Sequence, residues 1–288
     1  MRIVITGITG TLGTALSWVL CSDPAVTEVI GISRDEQKQR QMPVHPKLKL
    51  RLADIRDPAA VSRSLGHEKI DLIYHLAALK CVDTLEFNPY ECYMTNVIGT
   101  QNMVDIADQF DCKMVFTSTD KACYPINAYG YSKALAEKIV LNPASHGKKH
   151  TVVRYGNVMG SRGSLLPNLI MSLKTEGKAY LTHNDMTRFW MSAGQVVKFV
   201  RDAGFSETTG LKIPDGIQSS SVREFIAATA SYIGLDKYEV EEIGIRPGEK
   251  IHETLTTAEE GQLITSEDRD RRFDPKSLER FLIDSLGD

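Results

Sequence analysis

The sequence lacks any segment of about 18 uninterrupted apolar residues, so no membrane span is expected. Its first apolar run, Ile3 to Ile5, ends at once in a glycine turn, too short for the core of a signal peptide. The expected location is the cytoplasm. Cysteine is sparse: Cys21, Cys81, Cys92, Cys112 and Cys123, an odd number with no C-x-x-C pair. That pattern argues against a disulfide framework and a zinc site, so no metal is expected. Each cysteine reads as a small buried or half-buried residue in a reducing compartment. No long basic run occurs and the net charge is -3, which argues against nucleic-acid partners. Internal repeats and low-complexity tracts are also missing. What is present is 288 residues with 42% hydrophobic and 25% charged, ordinary for a globular chain that buries a core without staples.

The first 155 residues alternate between short apolar runs and helical patterns. Strands are predicted at Ile3–Ile5, Val29–Ile32, Leu48–Leu52, Asp71–Leu76, Met114–Phe116 and Val152–Val153, with helices over 12–20, 91–109 and 128–141. Leu48, Leu50 and Leu52 alternate with Lys and Arg, as in a strand near a sheet edge. Strands alternating with helices predict an α/β fold: a doubly wound, parallel Rossmann sheet with ligands at the carboxyl ends of its strands. Beyond Tyr155, glycines and prolines punctuate shorter elements, which predicts a smaller substrate-binding lobe. The expected division is a cofactor domain over 1–155, rejoined by about 188–212, and a lobe from 156–187 and 213–288. Residues 265–274 read as a solvated charged connector and 275–286 as a final amphipathic helix.

The turn Thr6, Gly7, Ile8, Thr9, Gly10, Thr11, Leu12, Gly13 follows a strand and opens a helix. Gly7 permits a tight turn, Gly10 lets backbone approach phosphate oxygens, and Gly13 lets helix and strand pack closely. A helix N-terminus there would favour a pyrophosphate. The second strand ends at Ser33, followed by Arg34 and, one helical turn on, Lys38, groups suited to a 2′-phosphate; NADP is therefore expected over NAD. Asp35 weakens that preference, since a carboxylate turned inward would bind a 2′-hydroxyl. Asp54 and Ile55 follow the third strand, where Asp54 is placed for the adenine edge. Leu76, Ala77, Ala78 and Lys80 follow the fourth, on the nicotinamide side. Lys80 reads as a contact to phosphate or substrate, or as a solvated lysine.

Tyr129 and Lys133 stand four apart on a predicted helix and share a face. A free tyrosine has a pKa of about 10, and a neighbouring ammonium lowers it, making a general base for an alcohol losing hydride. Tyr131 is the rival tyrosine but faces elsewhere. At the carboxyl end of the fifth strand, Thr119 can hydrogen-bond a substrate hydroxyl, and Asp120 and Lys121 form an acid–base pair. A simple alcohol dehydrogenase needs only the hydroxyl. The added carboxyl and amine point to a further proton transfer such as elimination.

With these residues the chain resembles the extended short-chain dehydrogenase/reductase superfamily and, within it, the inverting UDP-N-acetylglucosamine 4,6-dehydratases. The resemblance runs from residue 3 to about 255. It is carried by the glycine turn at 6–13 and by Ser-Arg-Asp-Glu at 33–36, His-Leu-Ala-Ala-Leu-Lys at 75–80 and Thr-Asn-Val-Ile-Gly-Thr-Gln-Asn at 95–102. Further strings are Ser-Thr-Asp-Lys-Ala at 118–122, Asn-Ala-Tyr-Gly-Tyr-Ser-Lys at 127–133, the glycine-rich run at 153–164, Met-Thr-Arg-Phe-Trp at 186–190 and Arg-Pro-Gly-Glu-Lys-Ile-His-Glu at 246–253. It implies that Tyr129, aided by Lys133 and Thr119, takes the proton from the hydroxyl on carbon 4 of a UDP-sugar while hydride passes to NADP. Lys121, held partly neutral, would remove the hydrogen on carbon 5. Asp120 would help expel the hydroxyl from carbon 6, where hydride returns, although which of the pair is acid and which base stays open. Protonation of carbon 5 from the opposite face inverts it. Arg162, Arg188 and Arg246 are the implied diphosphate and uridine contacts, with Asn157 on the substrate and Glu249 on a nucleotide hydroxyl. Met186 and Trp190 read as lobe packing. An epimerase, or a dehydratase giving another product, is the alternative.

Tyr124 and the run His183-Asn184-Asp185 depart from this pattern and are expected to reshape the pocket wall or the sugar contacts. The resemblance also implies pairing through helices such as 91–109 and 128–141, and so a homo-oligomer.

Overall fold

The computed structural model describes residues 1–142, 150–161 and 163–287. Six parallel strands, β1 (Arg2–Thr6), β2 (Glu28–Ser33), β3 (Leu48–Leu52), β4 (Leu72–His75), β5 (Lys113–Thr119) and β6 (Thr151–Tyr155), stand in the order 3-2-1-4-5-6. Order reverses between β1 and β4, the position where open α/β sheets bind ligands. A seventh strand, Gly210–Lys212, pairs in parallel with β6, so the chain returns to the sheet after leaving it. β3 takes the opposite edge, as its alternating charge implies.

Side chains alternate between two apolar layers. Ile3 and Ile5 face one layer with Leu16, Leu20, Val196 and Val200, while Val4 faces the other with Met103, Val104 and Phe116. The central strands β1, β2 and β4 are largely apolar because helices cover both faces. A third core, including Leu169, Leu173, Phe225 and Leu282, lies in the shorter elements beyond β6, where Trp190 stacks on Phe225 and Met186 is buried.

The region predicted as one helix over 91–109 is three pieces. Helix Pro89–Tyr93 and helix Gly99–Gln109 flank a π-helical turn at Met94–Ile98. The turn points the buried Asn96 amide inward, where it accepts from Leu79 N at 2.9 Å and donates to Leu79 O at 2.9 Å and Ser132 Oγ at 3.0 Å. The connector at 265–274 is not simply solvated. Ser266 is buried and its hydroxyl accepts from Glu253 N at 2.8 Å, while Phe273 N donates to Ser219 O at 2.9 Å. Its charges cover a segment needed to satisfy buried backbone. The final helix is Pro275–Gly287.

Candidate active site

The carboxyl ends of β1, β2, β4, β5 and β6 open into one cleft of about 980 Å³. Helix α1 (Thr11–Ser22) begins there at Gly10, which has no side chain to cap it, and its first turn carries no acidic residue. Gly7 has φ +70°, and a Cβ there would lie 2.8 Å from Ala77 N. A Cβ on Gly13 would meet Gly7 O at 2.4 Å, whereas one on Gly10 meets only Gly7 O, at 3.1 Å. The cradle therefore depends on bare backbone at two positions for packing and leaves the third facing the cleft, the arrangement a dinucleotide pyrophosphate requires.

Gly7, Thr9, Gly10, Thr11, Leu12 and Gly13 line the cleft, as do Ser33, Arg34, Lys38, Asp54, Ile55, Leu76, Ala77, Ala78 and Lys80. Thr6, expected with them, does not. Its hydroxyl is buried and fully engaged, with His75 Nδ1 at 2.7 Å and with Leu76 N and Ala77 N at 3.2 Å each, so it joins the ends of β1 and β4 instead. Arg34 Nη1 lies 3.5 Å from Asp54 Oδ2 and Lys38 Nζ lies 2.7 Å from Asp35 Oδ2, both on exposed basic side chains. Burial raises the Asp54 pKa, but Arg56, bound at 2.8 Å, outweighs it and holds the carboxyl below its usual range.

Thr119, Lys121, Tyr129 and Lys133 line the same cleft. The helix Ala128–Val140 is capped by Asn127, whose side chain accepts from Gly130 N at 2.6 Å. A Cβ on Gly130 would sit 2.3 Å from Lys121 O, so glycine allows the start of this helix to press against the Asp120–Ala122 turn. Tyr129 is thereby brought to Thr119, with which it hydrogen-bonds. Tyr131, two residues on, is exposed.

The electrostatics differ from the expectation that Lys133 depresses the Tyr129 pKa. Burial and then the Asp120 carboxylate push the phenol up, against the Thr119 hydrogen bond. Burial takes the Lys133 amine down to about 7, opposed by Glu137, which lies one turn along the helix. His75, buried beneath, is pushed down to about 3 by burial and then by Lys133, so it is neutral.

Asp120 is fully buried and does not itself line the cleft. Its Oδ1 accepts from Thr119 Oγ1 at 3.0 Å and from Lys121 Nζ at 3.0 Å. Lys121 Nζ also lies 3.1 Å from Glu253 Oε1 and 3.4 Å from Asn157 Oδ1. Burial alone would lower its pKa, but Asp120 and Glu253 together raise it, so Lys121 is an ammonium here rather than the partly neutral amine expected. Glu253 was not among the predicted site residues, although it closes the string at 246–253.

The expected substrate contacts divide. Arg162 lies outside the described residues. Arg246 is exposed at the cleft, and its backbone N–H donates to Glu249 Oε2 at 3.2 Å. Arg188 is buried, and it donates to the carbonyls of Thr187 at 2.7 Å, Lys250 at 2.9 Å and Ile251 at 3.0 Å. Those donors hold the 250–251 backbone, while Arg188 also lines the cleft. Tyr124 is exposed with φ 46° and lies off the cleft, so it does not form the pocket wall; Asn184 bonds Glu242 and Arg223 away from the cleft. Four cysteines are buried and free, but Cys81 is exposed at the cleft. Among the described residues no cluster of three or more His, Cys, Asp or Glu could hold a metal ion, and no helix is long and apolar enough to cross a membrane.

The sequence profile of a family described as polysaccharide biosynthesis protein matches residues 3–273. A protein of Methanocaldococcus jannaschii described as an uncharacterized membrane protein is 37% identical, over 90% of this chain and 81% of its own. A UDP-glucose 4-epimerase of Rickettsia felis is 39% identical (90% and 78% covered), and an inverting UDP-N-acetylglucosamine 4,6-dehydratase of Campylobacter jejuni is 37% identical (91% and 79% covered). Among solved structures, Pen from Bacillus thuringiensis superposes with a TM-score of 0.87 at 28% identity, covering 99% of this chain and 98% of that one. DesIV, a dTDP-glucose 4,6-dehydratase from Streptomyces venezuelae with NAD and TYD bound, has a TM-score of 0.80 at 21% identity (98% and 96% covered), a likeness of fold alone. The chain belongs to the polysaccharide biosynthesis protein family and has the extended short-chain dehydrogenase/reductase fold.

Proposed function

We propose that the protein is a nucleotide-sugar dehydratase that converts UDP-N-acetylglucosamine to a UDP-4-keto-6-deoxy-hexosamine with inversion at carbon 5. The observation that carries this reading is the meeting of Thr119, Lys121 and Tyr129 in one cleft with the glycine turn. The name of the Campylobacter relative supports the substrate. We assign the cofactor to the sheet domain and the UDP-sugar to the lobe of 156–187 and 213–288. Bound at the glycine turn, a nicotinamide dinucleotide supplies a site that accepts hydride and later returns it. NADP is our reading, because Arg34 and Lys38 flank the end of β2.

Tyr129, hydrogen-bonded to Thr119, takes the proton of the carbon 4 hydroxyl. Its raised pKa calls for a nearby positive charge during reaction, and Lys133 provides one when protonated. Lys121, the member of the acid–base pair that lines the cleft, exchanges protons with the sugar during elimination. Asp120 lies behind it as counter-ion and partner to Thr119. Oligomerisation is proposed through the helices of 91–109 and 128–141, which expose Tyr93, Tyr131 and Leu135. We place the protein in the cytoplasm on the strength of its free cysteines.

The test is incubation with UDP-N-acetylglucosamine in deuterated water. Loss of one water with deuterium at carbon 5 is expected. An unchanged mass, the outcome for an epimerase such as the Rickettsia relative is named to be, would overturn the reading.

A further inference from the structure

Lys121 is held between two buried carboxylates, and only one of them was anticipated by its place in the chain. Asp120 adjoins it on the 3₁₀ turn after β5. Glu253 arrives from the other side, 132 positions later in the sequence, and lines the cleft where Asp120 does not. We propose that Glu253 is a positioning residue for Lys121: its carboxylate orients the Lys121 amine into the cleft and keeps it protonated in the free enzyme.

The geometry is specific. Glu253 is 1% exposed, and its Oε1 lies 3.1 Å from Lys121 Nζ. Its backbone is fixed on both sides, since Glu253 N donates to Ser266 Oγ at 2.8 Å and Ser266 N donates to Glu253 O at 2.8 Å. The carboxylate is therefore delivered by a rigid segment, and a buried charge so held demands a partner. Other groups face the cluster. Arg188 Nε is 4.0 Å from Oε1 and Lys250 Nζ is 3.7 Å from Oε2, while Asn157 offers Lys121 an uncharged acceptor. Oε2 accepts no hydrogen bond among the described residues. Arg188 and Lys250 also bond carbonyls nearby, at Ile251 and Cys123. Lys121 has Asp120 and Glu253 as its two anionic contacts, so removing one leaves burial less opposed. The two carboxylates also differ in reach. Asp120 is tied to Thr119 as well, so its charge is shared with the Tyr129 side of the site, whereas Glu253 serves the elimination side.

For turnover this inference rests on the dehydratase reading, but the ionisation of Lys121 does not, and the two are measured separately. In trace acetylation of the full chain with acetic anhydride across a pH series, peptide mapping reports the titration midpoint of each lysine, with exposed Lys276 as reference. Glu253→Gln is expected to lower the Lys121 midpoint by about one unit, which is about tenfold more reactive amine at a pH below both midpoints, with Lys276 unmoved. An unchanged Lys121 midpoint in the folded variant overturns the proposal. If Glu253→Gln does not fold by circular dichroism, Glu253→Asp carries the test: a smaller fall is expected, and no fall overturns it. If deuterium enters carbon 5 of the substrate in the wild type, the pH profile of that incorporation moves down with the midpoint in Glu253→Gln, and a profile that stays in place overturns the proposal. A wild type that does not dehydrate UDP-N-acetylglucosamine removes the function reading while the labelling result stands on its own.

Discussion

The amine of Lys133, which lines the cleft, sits 3.9 Å from the centre of the Phe116 ring, and the His75 ring stacks on that same phenylalanine at 5.6 Å. Phe116 and His75 are fully buried, so the ammonium trades water for an aromatic face. Burial wins, and the pKa falls to about 7.

A sign follows for stability. The unfolded lysine binds its proton up to about pH 10.4, the folded one only to about 7, so between those values the unfolded state holds more protons and stability rises with pH. Below about 7 the cost of burying the charge is fully present. Lys133→Met is expected to be more stable than wild type at pH 7, by about 1–4 kcal/mol, and the gap should close towards pH 10. Urea unfolding at several pH values measures it. A variant less stable than wild type at pH 7 would contradict the burial argument, and activity should be lost in either case.

Gly10 and Gly13 should part company on substitution. Gly13→Ala drives a Cβ to 2.4 Å from a backbone oxygen, so a loss of about 1–3 kcal/mol in stability is expected. Gly10 has φ -73°, which alanine tolerates, and its Cβ would meet one oxygen at 3.1 Å. Gly10→Ala is expected to fold normally and to bind the dinucleotide weakly. Thermal melts with and without NADP separate the two.

Arg188 is expected to matter for stability before affinity. Arg188→Met leaves three carbonyls and the Glu253 carboxylate short of a donor or counter-charge, at a cost of about 3 kcal/mol. A direct diphosphate contact would instead raise KM with the unfolding midpoint unchanged. Denaturation curves beside steady-state kinetics distinguish these outcomes.

Arg34→Ala is expected to weaken NADP by about 10–100-fold and NAD far less, as loss of a charge-assisted bond to a 2′-phosphate would. Its partner Asp54 keeps Arg56, so the local fold should survive. Titration calorimetry with both dinucleotides is the measurement, and equal losses would refute the NADP assignment.

The sheet was legible because its signal is local. Ile3, Val4 and Ile5 are apolar in succession, as a strand covered on both faces must be, and the glycines at 7 and 13 mark a turn that larger residues cannot make. The four-residue spacing of Tyr129 and Lys133 likewise survives from sequence to cleft. Thr6 and Arg188 carry backbone contacts that their place in the sequence does not show. Thr6 ends β1 and Arg188 lies at the start of the strand Thr187–Met191, and what each bonds depends on which carbonyls and amides distant segments bring up to it.

By itself, the sequence determined the alternation of strands and helices, the glycine turn and the short spacings that bring Thr119, Lys121, Tyr129 and Lys133 to one cleft, because period, turn chemistry and short spacings act within a few residues. Tertiary structure alone decided their charge states. Lys121 stays an ammonium because Glu253, brought back by the Ser266 contact, adds a second carboxylate, while Lys133 sheds its proton near neutrality because burial strips its water. Ionisation reports the full surroundings of a buried group, and those surroundings come from segments far apart in the chain.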